Sequence, residues 1–157
     1  MGQRFSLQYR SESGSEERAG RKDARILLVE DNPADAGLVR RALEEHGIGG
    51  EITVFADGDS AIRFIQALDT EPIACPDLVI VDLNLPRRSG SEVLECMRQS
   101  MRCRSVPGVV LSSSSAQYDR EAADQLGASR YLRKPLRLGD FLALGLIFKD
   151  LLERRPQ

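Results

Sequence analysis

Acidic residues stand where apolar runs stop. Ile26–Val29 (ILLV) is followed by Glu30 and Asp31, and Leu78–Val81 (LVIV) by Asp82. A run ending at Leu111 gives way to Ser112, and Arg130–Leu132 leads into Lys134 and Pro135. Three carboxylates meeting at one edge would repel, which raises their pKa values or demands a cation. Lys134 offsets one charge, and a hard divalent ion offsets more. Mg²⁺ takes oxygen ligands, keeps several waters and needs only one or two carboxylates beside phosphate oxygens. Such a set is a Mg²⁺ site next to an aspartate able to attack a phosphoryl group and form an acyl phosphate. The Ser112 hydroxyl and Lys134 would then hold the transferred phosphoryl oxygens.

These residues meet only if the apolar runs are neighbouring strands. Ile26–Val29, Leu78–Val81 and Val106–Leu111 (interrupted by Pro107 and Gly108) are short, β-branched and apolar without alternation, as strands covered on both faces are. Ile52–Phe55 and Arg130–Leu132 complete a set of five. Between them lie helical stripes. Asn32 then Pro33 is a cap followed by a proline suited to the first helical position, and Leu38, Val39, Ala42 and Leu43 form one face. Ala61, Ile62, Ile65 and Leu68 mark a second helix, Val93, Leu94 and Met97 a third, Ala122, Ala123 and Leu126 a fourth, and Leu138–Leu152 a fifth. Alternation of this kind gives a doubly wound α/β fold with right-handed crossovers, whose ligands bind outside the carboxyl ends of the strands. The turn VEDNPAD has no G-x-G-x-x-G, and its two acids would repel a pyrophosphate, which argues against a nucleotide-binding Rossmann domain.

Composition sets the remaining bounds. The chain of 157 residues is 41% hydrophobic and 29% charged with net charge −2, which suits a single soluble domain and gives no basic face for nucleic acid or an anionic membrane. It has no run of about 18 apolar residues and no signal-peptide core, so the cytoplasm is the expected compartment. Residues 1–23 read as a flexible tail of Ser, Gly and mixed charge, residues 24–153 as the folded domain, and 154–157 as a short C-terminal tail. Cys75, Cys96 and Cys103 match no zinc spacing and read as reduced thiols. His46, before Gly47, reads as a structural residue at a helix C-terminus.

The strand-end residues resemble the receiver domain of two-component response regulators over about Arg25 to Leu152. The resemblance implies a flavodoxin-like five-stranded parallel sheet of order 2-1-3-4-5 with five helices. It implies an acidic pair at Glu30 and Asp31, a phosphoacceptor at Asp82, a metal-binding backbone carbonyl at Asn84, a hydroxyl at Ser112 and a lysine at Lys134. It also implies a switch aromatic at Tyr131 and a cis peptide before Pro135. Mg²⁺ would be the cofactor and a sensor histidine kinase the phosphodonor. Two departures stand out: Glu30 replaces the commoner aspartate, so it would hold the ion through water, and Ser112 replaces the commoner threonine. The runs VEDNPAD and DLNLPR, the DTEPIACPD loop and the lack of an output domain further resemble stand-alone regulators paired with phytochrome-type kinases.

Two other readings stay open at this point. A haloacid-dehalogenase-type phosphatase also has a strand-end aspartate, but it needs an acid two residues later, where Asn84 cannot donate a proton. A receiver-like interaction module that is never phosphorylated would bind partners without the chemistry. The last helix carries apolar surface beyond its Phe141, Leu144, Phe148, Leu152 stripe, namely Leu142, Ala143, Leu146, Ile147 and Leu151. A homodimer through this helix is therefore expected.

Overall fold

A computed structural model describes residues 2–8, 23–113 and 117–154. Its strands are β1 (Gln3–Leu7), β2 (Ala24–Val29), β3 (Gly50–Phe55), β4 (Leu78–Val81), β5 (Gly108–Ser112) and β6 (Arg130–Arg133). Its helices are α1 (Pro33–Glu45), α2 (Gly58–Leu68), α3 (Gly90–Gln99), α4 (Gln117–Gln125), α5 (Leu138–Ala143) and α6 (Gly145–Glu153). They form one sheet of order β1-β3-β2-β4-β5-β6. The five strands β2 to β6 are mutually parallel in the expected order.

Both faces of the sheet are covered, which is why its strands lack polar alternation. Ile26, Leu28, Ile80, Val109 and Leu111 pack with Val39 and Leu43 of α1 and with Phe141, Phe148 and Leu152. On the other face, Leu27, Val29, Val79, Val81 and Val110 meet Ile62 and Ile65 of α2, Leu94 and Met97 of α3, and Ala123 of α4. Asn32 caps α1, its side chain accepting from Ala34 N at 2.9 Å and Asp35 N at 3.3 Å, and Pro33 opens the helix. His46 is the C-cap, and its Nε2 lies 3.0 Å from the Leu142 carbonyl, tying α1 to α5.

Four expectations need correction. First, residues 3–7, read as tail, form β1, antiparallel to β3 with Phe5 opposite Ile52. Phe5 and Leu7 alternate toward the core, and the Arg40 guanidinium lies 4.8 Å from the Phe5 ring centroid and donates to the Ser6 carbonyl at 3.1 Å. An edge of β3 that would otherwise be open is thereby paired. Residues 1 and 9–22 of that segment lie outside the described residues.

Second, the last helix is broken at Leu144. There Gly145 sits so close to α1 that a Cβ would lie 2.2 Å from His46 Cδ2 and 2.4 Å from the Ala42 carbonyl oxygen. Third, Cys75 and Cys103 are joined by a disulfide with Cα atoms 5.6 Å apart, leaving Cys96 free. Asp69 brings the two loops together: it accepts from Ser100 Oγ at 2.7 Å, Met101 N at 3.0 Å and Arg102 N at 3.1 Å. Arg102 in turn donates to the carbonyls of Leu68, Glu71 and Ile73. Fourth, no described peptide is cis, so the bond before Pro135 is trans. The two isomers of an X–Pro bond differ by only about 0.5–1 kcal/mol, and Lys134 reaches the site in the trans form.

No described helix is long and apolar enough to cross a membrane.

Candidate functional site

The site forms at the carboxyl ends of β2, β4, β5 and β6. Backbone bonds that prolong the ladder fix where each side chain starts: Glu30 N donates to Phe55 O at 2.9 Å, Asp82 N to Val29 O at 3.0 Å, and Lys134 N to Ser112 O at 2.8 Å. The buried strand β4 is therefore followed by a carboxylate because Asp82, one residue past its end, lies at the crevice with Lys134 rather than under either helical layer. Gly90 opens α3 so close behind Asp82 that a Cβ would lie 2.1 Å from the Asp82 carbonyl oxygen. Between them, Arg87 adopts a left-handed backbone with φ 67°, an uncommon conformation for a non-glycine residue.

Asp82 is 6% exposed and both its oxygens are engaged. Oδ1 accepts from Asn84 N at 2.9 Å and Oδ2 from Lys134 Nζ at 2.9 Å. Lys134 also reaches Glu30 Oε1 at 2.6 Å and Asp35 Oδ2 at 2.8 Å. Glu30 is buried, with its other oxygen accepting from Asn32 N at 3.2 Å. Asp31 is exposed, and one oxygen from each of Glu30, Asp31 and Asp82 lies within 4.8 Å of the others.

The charges do not balance. Three carboxylates, from Glu30, Asp35 and Asp82, contact one ammonium, and Asp31 adds a fourth beside Glu30 and Asp82. Burial pushes the Glu30 carboxyl up to about 7, with the Asp82 charge adding to the rise and Lys134 only partly opposing it. Burial alone would lower Lys134, but its hydrogen bonds to Asp35, Glu30 and Asp82 outweigh that and hold it above the ordinary lysine range. An all-oxygen, net-negative set suits a hard divalent cation. The 4.8 Å spread is close to the about 4.2 Å between opposite ligands of an octahedral Mg²⁺. Glu30, Asp31 and Asp82 fit that ion.

Ser112 is fully buried at the end of β5, next to the backbone of Lys134. Tyr131 lies within β6 opposite Val110, packed on the side of α2, α3 and α4, with the Arg120 guanidinium 5.6 Å from its ring centroid. The structure thus brings Glu30, Asp31, Asp82 and Lys134 together, joins Asn84 and Ser112 to them through backbone, and holds Tyr131 apart. Asp35 is the site residue that the sequence reading missed. An acid in a helix's first turn ordinarily answers the helix dipole, and only the tertiary fold reveals its second partner.

Residues 26–144 match the family model of the response regulator receiver domain. The chain belongs to the response regulator receiver family. Response regulator Rcp1 of Synechocystis is 37% identical over 120 residues, 76% of this chain and 82% of Rcp1. The crystal structure of its Mn²⁺-bound form matches with a TM-score of 0.74 over 85% of this chain and 99% of that one. The phosphorylated cyanobacterial phytochrome response regulator RcpA matches with a TM-score of 0.75 at 28% identity, covering 85% and 96% of the two chains. The probable methanogenesis regulatory protein FilR2 of Methanothrix harundinacea is 39% identical over 115 residues, 73% of this chain and 74% of FilR2. This receiver therefore resembles phytochrome response regulators over nearly its whole fold, and the phosphatase reading falls away.

Proposed function

We propose that this receiver accepts a phosphoryl group on Asp82 from the phosphohistidine of a phytochrome-type sensor histidine kinase. One observation carries the reading: Asp82 is a buried carboxylate held at one oxygen by Asn84 N and at the other by Lys134 Nζ. An Asp82 oxygen attacks phosphorus as the histidine N–P bond breaks, and the imidazole nitrogen keeps the electron pair. Lys134 and the Ser112 hydroxyl then receive the phosphoryl oxygens. Glu30, Asp31, Asp82 and the Asn84 carbonyl would hold Mg²⁺, which supplies positive charge against the oxygens of the transferring group. Water slowly reverses the modification at the same centre, so the chain is a phosphoacceptor rather than a classical enzyme.

The signal is a population shift between two packings. Ser112 and Lys134 draw inward on the phosphoryl group, Tyr131 changes rotamer, and the face formed by α4, β6 and the last helices changes partners. The partner is a protein, in keeping with a net charge of −2. The last helices also form a homodimer contact: Leu146 is 59% exposed, Leu138 49%, and Ile147 and Leu151 are only half-buried. A single monomeric species in sedimentation at high concentration, phosphorylated or not, would sink the dimer. For the transfer itself, a phytochrome-type kinase labelled on its histidine should pass label to the wild type within minutes and not to Asp82→Asn. Equal labelling of both proteins would overturn the assignment.

A further inference from the structure

An ammonium has three N–H donors, and at Lys134 three carboxylates take them: Glu30 at 2.6 Å, Asp35 at 2.8 Å and Asp82 at 2.9 Å. The three do not play the same part. Glu30 and Asp82 sit at strand ends and supply oxygens to the candidate metal cluster, whereas Asp35 does not. Asp35 comes from the first turn of α1, a helix anchored there by the Asn32 cap and fixed elsewhere to β1 through Arg40 and to α5 through His46. It reaches the lysine from a helix rather than from a strand end.

A tetrahedral ammonium gripped at two points has its third N–H direction fixed. Lys134 hangs on a flexible four-carbon stem, so that grip decides where its last donor points. We propose that Asp35 is a positioning residue for phosphoryl transfer: with Glu30 it clamps Lys134 so that the remaining N–H stays on Asp82, then on a phosphoryl oxygen. The donor count is the same before and after transfer, so Lys134 need not release either anchor. The proposal rests on the phosphoacceptor reading above.

A competing effect runs the other way, because the Asp35 charge would repel an incoming phosphoryl group. Its side chain is 24% exposed and already paired with the ammonium, so solvent and Lys134 screen it. Positioning therefore outweighs repulsion, and removing Asp35 slows the reaction rather than speeding it.

The test compares wild type, Asp35→Ala and Asp35→Glu with acetyl phosphate over a range of Mg²⁺ concentrations, reading the adduct by intact mass. In this reaction an Asp82 oxygen bonds to phosphorus and acetate leaves with the electrons of the broken O–P bond. At saturating Mg²⁺ the rate in Asp35→Ala should fall by roughly tenfold, since misplacing a catalytic partner by about 1 Å can cost 10²-fold. Half-saturation in Mg²⁺ should move far less, and Asp35→Glu should recover most of the rate. Independently of phosphorylation, the Lys134 ammonium resonance of ¹⁵N-lysine protein should be visible in wild type and lost to solvent exchange in Asp35→Ala. Thermal melting establishes that both variants fold.

An unchanged rate in Asp35→Ala, a Glu variant as slow as the Ala variant, or an unchanged ammonium resonance would overturn the role of Asp35. If wild type itself forms no adduct, the phosphoacceptor reading fails and this one with it. A wild-type adduct matched by Asp35→Ala defeats only the present inference.

Discussion

Glu30 should make the metal-free protein less stable as pH rises, the reverse of what a salt-bridged carboxylate usually does. Its carboxyl moves from 4.5 when unfolded to about 7 when folded, chiefly through burial. The folded state therefore binds more protons than the unfolded state between those pH values, and stability falls across the window. Below 4.5 both states are protonated and nothing is lost; above 7 the full cost is present. At 1.36 kcal/mol per pKa unit the cost is about 3 kcal/mol, most of it appearing between pH 5 and 7.5. Because the side chain is only 1% exposed, solvent screening does not reduce this much. The measurement is urea unfolding in EDTA at pH 5 and 7.5, for wild type and Glu30→Gln. The gap between the two proteins should widen in favour of the variant by about 2 kcal/mol, because glutamine keeps the shape and has no charge to desolvate. Adding Mg²⁺ should shrink the wild-type dependence, since a bound cation favours the carboxylate. A gap that stays constant with pH, or closes, would refute the reasoning.

Other consequences concern the scaffold. The Cys75–Cys103 bridge spans a sequence separation of 28 residues, which corresponds to about 3.5 kcal/mol of loop-closure stabilisation. Reduction, or Cys103→Ser, should lower the urea midpoint accordingly, and alkylation of the unfolded protein should mark one thiol before reduction and three after. Three reactive thiols at the outset would contradict the bridge. Gly145→Ala should cost about 2 kcal/mol through overpacking, because its Cβ meets His46 and Ala42. A melting temperature equal to or above that of wild type would show that α6 can back away from α1.

The parallel sheet was legible because its strands are continuous apolar runs, and the strand-end acids were legible because nothing apolar should finish on a carboxylate without a reason. Glu30, Asp31, Asp82 and Lys134 lie together as their positions implied. What escaped depends on tertiary proximity. β1 is a five-residue strand beside a polar segment, and its pairing with β3 rests on Phe5, Leu7 and Arg40 rather than on a long pattern. The disulfide joins two segments distant in sequence, which hydrogen bonds to Asp69 also tie together. The break at Gly145 answers a surface contributed by α1, not any local signal in an otherwise apolar helix. Asp35 looks like a first-turn acid until the fold brings Lys134 to it across 99 residues of sequence. Pro135 shows the converse: family resemblance suggested a cis bond, whereas the chain reaches the same lysine placement in trans.

The central claim is that Asp82 is a phosphoacceptor whose chemistry needs a divalent ion. The most direct test is intact mass after incubation with acetyl phosphate, with and without Mg²⁺, for wild type and Asp82→Asn. The expected result is a single phosphoryl adduct that appears only when both Mg²⁺ and Asp82 are present. An adduct that persists in Asp82→Asn, or none in wild type although Mg²⁺ binding is demonstrated separately, would contradict it.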